Sequence, residues 1–182
     1  MFTSQSSRKS LAFLSVLALL SGCISETGVY KAYIGDPLET LQVARVEGAK
    51  IIRTDWINRY IDTVRFLSVD NMPIVNAEEF DSIDIAPGFH DLRVYFSWDL
   101  GSQRGLAPAL VSYAASRESI SRTLRFNALA GERYSVMAQP VFDSSRRDIT
   151  DLAYVDFWII DGEGNAIVSR DEGRYLPPSA NR

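Results

Sequence analysis

The chain has little of what catalytic chemistry draws on. One cysteine and one histidine occur in 182 residues. Zinc sites of the ordinary kind need several Cys or His ligands, and a lone cysteine has no partner for an internal disulfide. Cations are fewer than anions, 19 Lys+Arg against 23 Asp+Glu, and they are scattered. No basic patch is present to attract a nucleic acid. No Gly-x-Ser-x-Gly elbow occurs, and a Ser–His–Asp triad would have to use the single histidine, His90. Long apolar runs are missing too. The most apolar stretch, residues 11–20, reads "LAFLSVLALL". In a helix it would rise only about 15 Å, roughly half the hydrocarbon thickness of a bilayer.

That short run is informative because of what flanks it. Arg8 and Lys9 precede it, and small residues follow. A basic start, a short apolar core and a small-residue end describe a secretory signal peptide. The single cysteine comes directly after, in Leu20-Ser21-Gly22-Cys23. This tetrapeptide resembles the lipobox of bacterial lipoproteins. The resemblance implies cleavage between Gly22 and Cys23, a diacylglyceryl group on the Cys23 sulfur, and usually acylation of the new amino terminus. One acyl chain holds a protein to a membrane only marginally, whereas two or three hold it stably. Cys23 is therefore expected to be a lipid attachment point and not a redox or metal group. Ile24 and Ser25 follow, with no aspartate after the cysteine. In lipoproteins of enteric type that favours the outer membrane, facing the periplasm.

The remaining chain of about 160 residues is long enough to bury one core without disulfides. Residues 1–22 carry Arg8 and Lys9 and no acidic group, so their removal takes the formal charge from −4 to −6. Residues 23–37 read as a lipidated N-terminus and tether, broken by Gly28, Gly35 and Pro37. Residues 38–173 read as one folded domain, and residues 174–182, "RYLPPSANR", as a loose tail.

Period-two alternation dominates the domain. Ile83 and Ile85 share one face of "FDSIDI". Leu92, Val94, Phe96 and Trp98 share one face of "LRVYFSW", against Arg93, Tyr95 and Ser97. Leu124, Phe126 and Ala128 line up in "LRFNAL", as do Tyr134, Val136 and Ala138 in "YSVMAQ" and Val155, Phe157 and Ile159 in "YVDFWII". Such patterns are strands with one buried and one wetter face. "TLQVARVEG", "TVRFLSVD" and "AIVS" add further candidates, and "APGFH", "LAGER" and "DGEGN" are turn signals. The expected fold is mainly all-β, a β-sandwich of seven or eight strands. Residues 106–121, "LAPALVSYAASRESIS", read as one short helix or, equally, as another strand.

"IDIAPGFHDLRVYFSW", followed some thirty residues on by "LRFNALAGERYSVMAQ", resembles PEGA-type domains of bacterial envelope proteins. Those carry a Pro-Gly-x-His turn between strands and a later Gly-x-x-Tyr strand opening. The resemblance implies a small Ig-like or PEGA-like sandwich on an exported protein and brings no catalytic residues with it.

Candidate sites are few. His90, behind Pro87-Gly88-Phe89, sits at an expected hairpin corner, where a histidine more often bonds the turn than performs catalysis. In "DGEGNAIVSRDE", Asp161, Glu163, Asn165, Ser169 and Glu172 fall at the ligand positions of a calcium loop. Position six, however, is Ala166 where such loops need glycine. A hairpin turn accounts for it better. Glu78-Glu79, and Asp143 with Arg146, Arg147 and Asp148, read as solvated loops. Phe96, Trp98, Phe126, Phe157 and Trp158 read as core, with Trp158 opposite Phe157. Trp56, Tyr60 and Tyr113 are the candidates for a binding surface. No metal site and no cofactor is expected. The expected function is a membrane-anchored, non-catalytic envelope lipoprotein that binds another envelope component, a protein partner included. A small-molecule or glycan binder is the alternative, and a carboxylate-based hydrolase the third reading.

Overall fold

The computed structural model describes residues 28–54, 59–97, 121–143 and 152–177, without the side chains of residues 59 and 60. Eleven strands run through them: β1 Val29–Lys31, β2 Ala44–Gly48, β3 Lys50–Thr54, β4 Arg59–Val69, β5 Met72–Pro73, β6 Ser82–Ile85, β7 Gly88–Ser97, β8 Ser121–Ala128, β9 Arg133–Phe142, β10 Leu152–Asp161 and β11 Ala166–Tyr175. One sheet has the order β1-β6-β2-β9-β10-β11. The other has β3-β4-β7-β8, with β5 also beside β4. The expected all-β sandwich forms, with more strands than the seven or eight expected. The additional ones include β1 and β5, which are too short to display a period. No helix among the described residues is long and apolar enough to cross a membrane.

The alternating residues build the core. Ile83, Ile85, Leu92, Val94, Phe96, Leu124, Phe126, Val136, Val155, Phe157 and Ile159 are all buried between the sheets. Each fully buried ring, such as Phe66, Phe96 or Phe157, contributes about 1.5–3 kcal/mol over an exposed one. Tyr95 departs from the pattern. It alternates with the core set yet is buried, while its face-mates Arg93 and Ser97 are half-buried.

The register fixes two ends. At the turn end, β6 passes to β7, β8 to β9 and β10 to β11 through short connections, and Val69 pairs with Met72 across a two-residue turn. At the other, the entry end, lie Gly28, Ser97, Ser121, Phe142, Leu152 and Tyr175. The chain enters there.

Several expectations change. "APGFH" joins two strands that do not pair: β6 belongs to the six-stranded sheet and β7 to the other. It is an arch between sheets, so His90 is not at a hairpin corner. Turn chemistry is the same in both cases, because Gly88 supplies the positive φ of +130° whichever way the chain then goes. "LAGER" is a second such arch, from β8 to β9. There the Tyr134 hydroxyl accepts the Leu129 N–H at 3.0 Å, and its ring meets Phe126 edge-on at 5.1 Å. β1 lies inside the stretch expected to be tether, and β11 carries Arg174 and Tyr175 out of the expected tail. Glu78 and Glu79 sit exposed in a 3-10 turn, Ala77–Glu79. Residues 106–120 of the stretch read as helix or strand lie outside the described residues, and Ser121 opens β8.

Candidate functional site

His90 is already committed within the fold. Its Nδ1 lies 2.7 Å from Asp70 Oδ2, and its Nε2 lies 2.7 Å from the Ala86 carbonyl oxygen. Both ring nitrogens face acceptors of the protein itself, so neither is left to serve a substrate. Asp70 also accepts the Asp91 N–H at 2.8 Å, and Asp91 is held by two hydrogen bonds from Arg125. Asp70 and Asn71 form the turn from β4 to β5 with φ of 51° and 65°, the left-handed pair that a two-residue hairpin needs. The histidine thus ties that turn to the β6–β7 arch.

Burial disfavours the charge on Asp70, but the Asp91 N–H and the adjacent His90 outweigh it and hold its pKa below the ordinary carboxylate value. A carboxylate depressed in the folded state stabilises above its unfolded pKa of about 3.9, and that contribution is lost as pH falls through the folded value. Asp70→Asn is expected to lower the melting temperature by a few degrees at neutral pH and by progressively less below about pH 4. Thermal unfolding of both proteins across this range checks it. A gap that stays constant with pH would show that charge is not what holds the turn.

The 161–172 segment is a hairpin. Asp161 Oδ1 accepts the N–H groups of Glu163 and Asn165 at 2.9 and 2.8 Å, and Glu172 accepts from the Ser169 N–H and hydroxyl at 2.8 and 2.7 Å. The carboxylates are spent on their own backbone, and hydrogen bonds from Asn165 hold Asp161 below its ordinary pKa. Among the described residues no group of three or more His, Cys, Asp or Glu could hold a metal ion.

Trp158, read as core from the sequence, instead faces outward, opposite the buried Phe157. Its ring carries the Arg170 guanidinium at 3.9 Å, and Tyr154 carries that of Arg174 at 4.6 Å. Arg174 is fixed over Tyr154 by two hydrogen bonds to Asp156, of 2.6 and 3.0 Å. The protein's own cations thus occupy these aromatic faces.

A cleft with free binding capacity lies where the edges of the two sheets meet. Between β1 and β5 is an open cavity of about 150 Å³, lined by Tyr30 to Ile34 and by Val69 and Met72 to Ile74. Buried Ala32, Val69 and Ile74 form its apolar floor. Ile34 and Met72 are its exposed rim, 86% and 39% accessible. Tyr33 shapes one wall: its hydroxyl accepts the Leu38 N–H at 2.8 Å, and the Lys31 ammonium lies 4.8 Å from its ring centre and bonds the Gly35 carbonyl. Among the described residues Lys31 has no carboxylate partner.

β1 is an edge strand, which adds a second capacity. It pairs with β6 in parallel, and the Ala32 N–H donates to Asp84 O at 2.8 Å. Alternate residues point opposite ways along a strand, so the N–H and C=O groups of Val29 and Lys31 face the open side. They have no partner among the described residues.

The sequence reading missed this site because Tyr30 and Met72 meet only through the fold. Of the residues it singled out, Gly22, Cys23, Trp56 and Tyr113 lie outside the described residues, and so do Trp98, Arg146, Arg147 and Asp148. Tyr60 is in β4, paired through its backbone with Arg53. Compared with protein families, curated proteins and solved structures, the chain matches none. The likeness to PEGA-type domains therefore rests on its two turn motifs alone.

Proposed function

We propose that this chain is a lipid-anchored protein of the bacterial envelope, in the outer membrane facing the periplasm, whose sandwich binds another envelope component and performs no catalysis. The observation that carries the reading is Cys23, the only cysteine, placed directly where the apolar run of residues 11–20 ends. The fold is compatible with it. Gly28 enters at one end of the sandwich, five residues after Cys23, a span of at most about 18 Å. The commitment of His90 to Asp70 and Ala86 supports a binding role over a catalytic one, and the β1–β5 cleft supplies an open surface for it.

The test is Cys23→Ser in intact cells. The wild type is expected in the membrane fraction, with a mature mass that begins at Cys23 and includes acyl chains. The variant is expected to lose the lipid mass and most of its membrane retention, because no single weak contact replaces two or three chains. A variant that stays membrane-bound, or a wild type that carries no lipid, would sink the anchoring reading.

A further inference from the structure

We propose that an extended segment of another polypeptide adds as a strand to the open edge of β1 and sets one apolar side chain into the β1–β5 cleft. This rests on the reading of the domain as a binding module and is independent of the lipid on Cys23.

The two seams of the sandwich differ. Where β11 meets β8 the sheets are joined: the Arg122 guanidinium donates to the Glu172 carbonyl at 2.7 Å, and the two strands pack together. At the other seam the edge strands are β1 of one sheet and β5 of the other. No hydrogen bond joins them among the described residues. The cavity of about 150 Å³ lies in that gap. Tyr30, Lys31 and Ala32 all line it, although alternation sends the Lys31 side chain to the face opposite its two neighbours. A cavity that touches all three runs beside the strand's backbone. That is where the N–H and C=O groups of Val29 and Lys31 are open.

Two features select the occupant. Backbone donors and acceptors repeating at strand spacing are satisfied by a second extended backbone. A strand added beside β1 points every second side chain inward, level with Tyr30 and Ala32 and over the floor of Val69 and Ile74. The cavity then fixes the size of that side chain. About 150 Å³ holds one small apolar group and falls below the 300 Å³ or more of drug-sized sites. Charge takes no part in the selection. The Lys31 ammonium bonds the Gly35 carbonyl and lies 4.8 Å from the Tyr33 ring centre.

The probes are fluorescein-labelled octapeptide pools, amidated at the carboxyl end, that alternate Thr with a mixture of Val, Ile, Leu and Phe. Fluorescence anisotropy against the full chain in detergent reads their binding. Saturable binding is expected, weakened about tenfold or more when Ser replaces every apolar residue. Two further pools are N-methylated, one at the Thr amides and one at the apolar amides. Alternate N–H groups face the same neighbour, so at least one of these pools is expected to lose binding. Val29→Pro removes an edge N–H that β1 does not share with β6, and is expected to weaken binding about threefold or more with thermal unfolding unchanged. Met72→Glu, at the exposed rim, is expected to do the same. Absence of saturable binding at millimolar concentration would overturn the proposal. So would equal binding of the Ser pool, or retention of both methylated pools. Sedimentation showing that the chain alone dimerises, and that Val29→Pro abolishes the dimer, would make a second copy the occupant and overturn it too. None of these outcomes bears on the lipid, which the Cys23→Ser fractionation reads separately.

Discussion

Replacing Gly173 with alanine is expected to destabilise the fold by about 3 kcal/mol or more, enough to leave a marginal domain largely unfolded. Gly173 pairs with Phe157 across β10 and β11, next to a register shift between Phe157 and Ile159. A Cβ built there would overlap the Phe157 carbonyl oxygen, lie 2.7 Å from its carbon and 3.2 Å from Leu124 Cδ2. The first obstacle is backbone, which cannot rotate aside. The second is a fully buried side chain of β8, in the facing sheet. The missing side chain is what lets β11 close onto both its neighbour and the opposite layer, so any alanine forces the strand to peel away from one of them. Urea unfolding of the full chain measures the loss. Gly162→Ala is the control, since its Cβ would meet only Arg133 O, at 3.9 Å, and a change within about 0.5–1 kcal/mol is expected. Equal effects at the two positions would show that close approach is not what Gly173 provides.

Gly48→Ala is expected to have the second-largest effect, about 2–3 kcal/mol. At Gly48 and Ala49 the chain leaves one sheet for the other. The Gly48 N–H donates to Asp81 O and the Ala49 N–H to Val136 O, both at 2.9 Å. Ala49 O then accepts the Val64 N–H of the second sheet at 2.9 Å. Added at Gly48, a Cβ would overlap Val64 O and lie 3.1 Å from its carbonyl carbon. Val64 is fully buried and has no room to retreat, so the strain falls on the crossing itself. Beyond it the β3–β4 arm carries Asp62, 1% exposed, held by two hydrogen bonds from Arg53 of 2.7 and 2.9 Å. The crossing sets where that arm leaves the sandwich. Urea unfolding again gives the size. Near-UV circular dichroism at low denaturant distinguishes a loosened crossing from a wholly unfolded chain.

Faces were legible in the sequence and partners were not. Alternation at Leu92, Val94 and Phe96, or at Val155, Phe157 and Ile159, states which side of a strand is buried, and every one of these side chains lies in the core. It does not state which strand lies alongside. The parallel pairings β1–β6 and β2–β9 leave no local trace, because nothing near Arg45 signals that Arg133 is its neighbour. Pro87-Gly88 and Ala130-Gly131 mark where the chain turns but not whether it returns to the same sheet. One signal was readable and was not used: Asp70-Asn71 between "TVRFLSV" and "MPI" is a two-residue pair suited to left-handed backbone, and it makes the β4–β5 hairpin. The cleft had no such signal. Its walls come from Tyr30 to Ile34 and from Val69 and Met72 to Ile74, too short and too far apart to display a period.

The interleaved order of the six-stranded sheet bears on how fast the molecule can assemble. Arg45 of β2 waits for Arg133 of β9, so one edge of β2 stays unpaired until most of the sequence is present. Pairings that close such large loops are slow, with all-β topologies reaching the native state in about milliseconds to seconds. During that interval β2 lacks its β9 neighbour, and an unsatisfied strand edge invites pairing with a second molecule. For this topology the hazard lies in the time before completion, when crowding by identical chains competes with the arrival of the protein's own later strands.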